Sequence, residues 1–386
     1  MKPYPLQTFL LIAFLAVASC APKPETIKSF RIEPVGFSAL PGWRNDNQAA
    51  ALPALRASCR KLAKRPVGAA VGTDWIGLSG GDWRGPCQAM PEDSVDAETA
   101  RAFLQEWFRP YKVSGAEGSE GLFTGYFEAE LTGSRRRQNA SQVPLYKVPR
   151  DHVTVDLGQF DQKLKGKRFV GRVAGRNLVP YHKRGPIDDG ALKGQGAELI
   201  WADDPIDVFL MHIQGSGRVS LRDRTVMRVG FAGHNGHGYR SIGRVLIQRG
   251  ELQRGQASWD HIRQWIESHP QQARALLAEN PRYIFFRNIH GKGPIGAQGV
   301  ELTTGRSLAV DRRYIPLGVP VWLSTRWPTD ASRPLERLMV AQDTGAAITG
   351  PVRGDFFWGH GKEALRLAGN MKSRGVYFVL LPKSAY

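Results

Sequence analysis

From Gly121 to the C-terminus, short apolar segments recur between glycine, proline and charged turns, a rhythm that confines the chain to short strands in a barrel or sandwich. The segments run Leu122 to Leu131, Gln142 to Val148, Phe169 to Val173, Ala197 to Ala202, Asp207 to Gln214, Val219 to Leu221 and Thr225 to Gly230. They resume at Tyr283 to Phe286, Leu308 to Val310, Pro320 to Ser324, Arg337 to Gln342 and Val376 to Leu381. Between the two sets, Tyr239 to Gln248 and Trp259 to Glu279 read as helices. Gly250 is placed to end the first and Pro270 to break the second. A short helix is expected over Lys362 to Ala368. Ahead of Gly121, Leu52, Leu55, Cys59 and Leu62 form one helical stripe. Asp96 is placed to cap a second helix carrying Ala100, Phe103, Leu104, Trp107 and Phe108. With no repeat, heptad or low-complexity tract, the chain reads as β-barrels decorated with helices.

The first residues say where such a protein works. Lys2 precedes an apolar run from Leu10 to Val17, too short for a membrane-spanning helix and suited to a signal-peptide core. The run ends at Val17-Ala-Ser-Cys20, a small-residue site resembling a lipobox, which makes Cys20 the expected lipidated residue. Ala21 follows rather than Asp, which favours the outer membrane. The competing reading is an ordinary secretory signal with a chance cysteine. No second apolar stretch is long enough to span a bilayer. Cys59 and Cys87 are compatible with a disulfide in an oxidising compartment, though two cysteines alone do not decide the pairing.

The net charge of +18 raises nucleic acid as a partner. The basic residues are scattered in twos and threes, as in Arg135-Arg-Arg137 and Arg312-Arg313, with no single basic arm. An exported chain meets an anionic envelope polymer or lipid headgroups instead, so no nucleic-acid partner is expected. A generic basic surface is the plainer alternative.

Asp343 and Asp355 are the candidate pair for chemistry, with a third aspartate upstream. Asp343 and Asp355 sit in Ala341-Gln-Asp-Thr-Gly and Val352-Arg-Gly-Asp-Phe-Phe-Trp-Gly359, and Asp311 stands upstream in Val310-Asp-Arg-Arg-Tyr-Ile-Pro-Leu-Gly318. A carboxylate beside Phe356, Phe357 and Trp358 is poorly solvated, and poor solvation raises its pKa toward what a general acid needs. The aromatic run also offers flat faces for sugar rings. Asp343 could orient Asp355, raise its pKa by repulsion, or stabilise positive charge. Against this stands the reading in which both aspartates cap turns. His234, His237 and His360 lack a metal-binding spacing, so no metal is expected. Met211-His-Ile-Gln-Gly-Ser-Gly217 lacks the Gly-x-Ser-x-Gly order of a nucleophile elbow and reads as a turn offering polar groups to a ligand.

Seven segments in order are similar to the membrane-bound lytic murein transglycosylase A family. They are Phe123-Thr-Gly-Tyr-Phe-Glu128, Met211 to Gly217, Gly236-His-Gly-Tyr-Arg-Ser-Ile-Gly243, Asn280-Pro-Arg-Tyr-Ile-Phe-Phe286 and the three aspartate segments. The resemblance implies a mainly β fold with helices, a double-psi β-barrel plus an inserted second β-barrel-like domain, with a glycan groove between them. Residues 1–19 would be the signal peptide, 20–42 a lipidated tether, 43–122 the helical part of the first domain, 123–278 the insert and 279–386 the barrel with the aspartates.

It further implies Asp355 as acid and base, Asp343 as its support, and Asp311 one layer behind them. Tyr126, Gln214, Ser216 and Gly217 are expected to line the groove, because polar turns beside aromatics suit sugars. The alternative makes Tyr126 core and Gln214 a strand cap. The implied reaction cleaves the bond between N-acetylmuramic acid and N-acetylglucosamine in peptidoglycan without water, leaving a 1,6-anhydro end and needing no cofactor. The implied protein is an outer-membrane lipoprotein facing the periplasm and a monomer, its partners being glycan strands and the bilayer. A glycan-binding module without catalysis is the remaining alternative. Family members usually show two glycines after the middle aspartate. Here Gly345 and Ala346 stand in that place.

Overall fold

The computed structural model describes residues 30–92, 94–291 and 293–385. Cys20 and the apolar run before it lie outside the described residues.

Six strands close on themselves. Lys372–Pro382 pairs with Pro320–Trp327, which pairs with Asp330–Asp343. That strand runs parallel to Ser307–Val310, which is antiparallel to Arg353–His360. Arg353–His360 lies parallel to the first half of Gly121–Ser134, and the same half returns to Lys372–Pro382 through Gly121 to Thr124. The closed ring leaves no unpaired edge among these six strands. Alternate residues drive it together: Phe123, Leu308, Val310, Val321, Leu338, Val340, Phe356 and Val379 are all buried in the main core.

Gly121–Ser134 is long because it serves two sheets. Its second half, Ala129 to Gly133, runs parallel to Ser216–Leu221. Val226–His234 and Ile284–Ile289 then extend that sheet on one side, while Glu198–Ala202 and Val143–Tyr146 extend it on the other. Where the strand passes from one sheet to the next, Glu128 is held by Arg228 at 2.6 and 2.8 Å, with both side chains buried. An ion pair this dry is unforgiving: removal of one partner alone costs about 3–5 kcal/mol.

Both expected N-terminal helices form, but Phe108, expected in the second, is extended and opens the strand Phe108–Ser114. Leu52–Leu62 buries the predicted stripe, and Ala97–Trp107 begins where the Asp96 carboxylate accepts the Thr99 amide at 2.8 Å. Cys59 and Cys87 are bonded with Cα atoms 5.4 Å apart, tying the first helix to Arg84–Gln88. Pro270 opens the helix Pro270–Ala278 as well as closing Trp259–Ser268, consistent with the missing proline amide being harmless in a first turn.

One expected strand is a helix. Pro205–Gln214 starts where Asp204 accepts the Ile206 amide at 2.7 Å and ends at Gly215 in the left-handed region, φ 78°. Val208, Phe209, Leu210, Met211 and His212 are all buried, so the run is apolar all round and periodicity cannot separate strand from helix. The strands Phe108–Ser114 and Arg353–His360 lack a clean period and are missed by the pattern, and His152–Asp156, which alternates through Val153 and Val155, is missed as well.

Candidate active site

The two aspartates flank one residue. Ala309 is in register with Asp343 on its parallel side and with Asp355 on its antiparallel side. Two strand spacings, about 10 Å, therefore separate their backbones. Asp355 is in register with Thr124 and Phe357 with Tyr126 on the next strand. Strand alternation puts Asp355, Phe357, Thr124 and Tyr126 on one face, while Phe123 and Phe356 enter the core from the other.

Each carboxylate has its own set of donors. The Asp343 oxygens accept three hydrogen bonds: Ala297 and Thr344 amides to Oδ1, each at 2.9 Å, and the Tyr126 hydroxyl to Oδ2 at 3.0 Å. Burial pushes Asp343 above the ordinary carboxylate range, against those bonds. Burial and the nearby charges of Asp343 and Asp355 push the Tyr126 phenol well up, so it stays protonated and donates. Asp355 accepts one described bond, from the Thr124 hydroxyl. That hydroxyl in turn accepts from Arg353 Nη2 at 2.8 Å. Burial raises the Asp355 carboxyl to about 6, with Thr124 and Arg353 pulling it back and Asp343 adding a small upward push. A carboxylic acid near 6 can hold or release a proton close to neutrality.

Asp311 belongs to neither reacting face. It is 6% exposed, accepts the Gly350 amide at 2.8 Å, and is gripped by Arg313 through its amide, Nε and Nη2. Burial raises its pKa, yet those bonds outweigh burial and the net shift is downward. Its work is to hold the turn between the two other aspartates. In that turn Ala346 stands without strain: among the described residues the non-glycine with positive φ is Arg224.

The remaining expected residues divide. Gln214 Oε1 accepts the Phe127 amide at 3.1 Å, so it fastens the helix Pro205–Gln214 to the strand carrying Tyr126. Ser216 is half-buried at the start of Ser216–Leu221. Gly217 is buried opposite Ala129, and a Cβ there would lie 2.1 Å from the Met211 Cε, so glycine lets that helix close on the sheet. The aromatic run does not offer open faces. Phe356, Phe357 and Trp358 are 0%, 2% and 8% exposed, because their strand is sandwiched in the core. Phe357 packs on the Tyr126 ring at 5.2 Å between centroids, and the run acts by excluding water from Asp355.

His234 and His237 bond to backbone, His234 Nδ1 taking the Gly236 amide and His237 Nε2 meeting the Tyr181 carbonyl. Thr124 and Arg353 were not singled out by sequence. Thr124 was findable, two residues before Tyr126 on an alternating strand. The Ala297 amide, 46 residues from Asp343, left no signal.

A closed barrel, a second sheet grown from one of its strands, and a carboxyl pair at the junction define the class of protein. Comparison with known proteins then narrows it. Residues 122–287 match the MltA specific insert domain and residues 306–381 the 3D domain. Membrane-bound lytic murein transglycosylase A of Escherichia coli K12 is 33% identical over 300 residues, covering 72% of this chain and 74% of its own. A solved membrane-bound lytic murein transglycosylase from Agrobacterium tumefaciens superposes with a TM-score of 0.81 at 33% identity, over 92% of this chain and 98% of that one. The Escherichia coli MltA solved with bound chitohexaose superposes with a TM-score of 0.66 at 26% identity, over 92% and 94% of the two chains. The chain belongs to the membrane-bound lytic murein transglycosylase A family.

Proposed function

We propose that this chain is a peptidoglycan lytic transglycosylase in which Asp355 is both acid and base. The observation that carries the reading is a carboxyl raised to about 6, held by a single hydroxyl, one strand away from a residue that Asp343 also flanks. The protonated Asp355 donates to the oxygen linking N-acetylmuramic acid to N-acetylglucosamine, and the anomeric carbon–oxygen bond breaks. Positive charge grows at the anomeric carbon. Asp355, now a carboxylate, takes the proton of the muramoyl 6-hydroxyl as that oxygen bonds to the anomeric carbon. The acid is regenerated, no water is consumed, and the product carries a 1,6-anhydro ring. Because the attacking hydroxyl belongs to the same sugar, its positioning is intramolecular.

Asp343 supports by charge. Three donors on its oxygens favour the anion, which can face the positive centre. Tyr126, Gln214, Ser216 and Gly217 form the wall on which the glycan lies, Tyr126 by its ring and the others by keeping the helix end in place. We take residues 43–122 with 279–386 as one domain and 123–278 as the other; Gly121–Ser134 crosses that division, pairing in the ring as far as Glu128 and in the second sheet from Ala129, and Ile284–Ile289 also joins the second sheet. We also assign lipidation to Cys20, with the body held at the outer membrane. Among the described residues no helix is long and apolar enough to cross a membrane.

Mass analysis of sugars released from purified sacculi tests the reaction: anhydro-ended muropeptides are expected, and reducing ends or no release would overturn it. Cys20→Ala tests the anchor separately. The lipid modification should disappear from the intact mass while activity on sacculi persists.

A further inference from the structure

The three-stranded sheet of His152–Asp156, Arg168–Ala174 and Asn177–Pro180 is separate from the thirteen-stranded one. Its inner side rests on the turn around Gly236, where a Cβ would approach Val170 at 3.0 Å and where His152 Nε2 meets the His234 carbonyl at 2.9 Å. Its outer side is apolar. Val155 lies opposite Phe169, and Val173 opposite Leu178. Phe169, Val173 and Leu178 are 60%, 55% and 44% exposed, and Phe160, in the turn joining the first two strands, is 79% exposed. A sheet with one face packed ordinarily turns polar side chains outward; here the outward side chains are aliphatic and aromatic.

The same stretch is strongly basic. Residues 157–176 hold six Lys and Arg and one acidic residue, Asp161. Asp161 is engaged by the Lys163 amide at 2.9 Å, and Asp156 just before it by Arg168 at 3.4 Å and the Gly158 amide at 3.1 Å. Lys163, Lys165, Lys167 and Arg176 are exposed around the apolar side chains.

The geometry points to a docking face for an anionic phospholipid surface, with Phe160 and Phe169 entering the headgroup–acyl boundary and the lysines lying at the phosphates. Exposed apolar side chains ringed by Lys and Arg are what holds a protein in that interface. Each basic group near an anionic leaflet adds to the attraction within a Debye length. An anionic glycan would meet the lysines yet give Phe160 no apolar phase to enter. A second copy of the chain would bring the same positive charge against itself. The inference rests on this sheet alone and stands apart from the reading of Asp355. Its consequence is orientation: a second contact fixes which side of the body faces the bilayer.

Amide hydrogen exchange of the purified full chain reads this locally, whatever holds the N-terminus. Phosphatidylcholine vesicles with a minority of phosphatidylglycerol should slow exchange over residues 157–178 about tenfold relative to pure phosphatidylcholine, and added salt should erase the effect. The double variant Phe160→Asp with Phe169→Asp should lose that protection while still releasing muropeptides from sacculi at the normal rate; both side chains are exposed, so folding is not at stake. Equal exchange on the two vesicle types overturns the proposal. So does protection that appears with sacculi but not with vesicles, or in concentrated protein without lipid.

Discussion

Asp311 and Asp355 stand at neighbouring strands of one closed ring, and their electrostatics run in opposite directions. Both carboxyls are largely withdrawn from water, yet the Asp311 pKa falls while that of Asp355 climbs to about 6. Burial lifts Asp355, and the donors on each carboxylate decide how much of such a lift remains. Asp311 receives a Gly350 amide and three nitrogens of Arg313, which stabilise the anion beyond what burial takes away. Asp355 receives a hydroxyl, and its arginine, Arg353, bonds to that hydroxyl rather than to the carboxylate. Burial raises a carboxyl's pKa, and donors on its oxygens take part of that rise back.

The largest break in the comparison is Asp355→Asn. An amide keeps the shape but cannot donate and retake a proton, so release of anhydro-ended muropeptide should fall at least about 10³–10⁴-fold. Near-normal turnover would sink the assignment. The stability readout should move the other way. Folded Asp355 titrates near 6 and the unfolded carboxyl near 3.8, so the folded state takes up a proton between those values. Wild-type stability therefore gains as pH falls from 6 toward 3.8, and the penalty is fully present above 6. Asp355→Asn should raise Tm at neutral pH and flatten that rise. Asp343→Asn should cost less in rate, about 10–100-fold, since it supplies charge and not the proton. A loss as deep as that of Asp355→Asn would mean Asp343 handles a proton itself.

Asp311→Asn should act on the fold. Three of its four donors are nitrogens of Arg313, two of them in the guanidinium, and an amide in their midst leaves donors facing donors, a cost of about 1–3 kcal/mol. The linkage has the opposite sign to that of Asp355. The folded pKa lies below 3.8, so the contribution is complete above 3.8 and is lost as pH falls through the lower value. Chemical denaturation at pH 7 and pH 3 measures it: the variant should be weaker at pH 7 and approach wild type at pH 3. If activity collapses while stability is untouched, Asp311 reaches the substrate and the contrast with Asp355 is wrong.

The same contrast marks what the sequence could reveal. That Asp355 would be poorly solvated was legible, because three large aromatics follow it and strand alternation sends some of them inward. That those aromatics would be closed to sugars was not, since the strand carrying them was itself hidden: Arg353–His360 has buried side chains on both faces and no period. The strand Gly121–Ser134 was legible through its alternation, and Thr124 was within reach by the same rule. Pro205–Gln214 had its cap in view at Asp204 and its stop at Gly215, two local signals that should have outweighed an apolar run. The ring closure and the amide of Ala297 depend on contacts across long separations, which composition and spacing do not encode.

The finest test concerns the hydroxyl between Arg353 and Asp355. Arg353 Nη2 donates to Thr124 Oγ1, which polarises the threonine O–H toward the carboxylate, so the hydroxyl passes on part of the guanidinium charge. Among the influences that lower the Asp355 pKa, this bond is the foremost, with the Arg353 charge next. Thr124→Val removes the hydroxyl and keeps the β-branched shape its strand prefers. A net hydrogen bond of about 1 kcal/mol corresponds to somewhat under one pH unit. In the proposed mechanism activity needs protonated Asp355, so kcat/KM should decline above about 6, and that alkaline limb should move upward in Thr124→Val by about half a unit to one unit. Thr124→Ser restores the donor and should bring the limb back. A limb that stays in place, or moves to lower pH, would show that Thr124 does not set the acid, and that the low count of donors on Asp355 is not what separates it from Asp311.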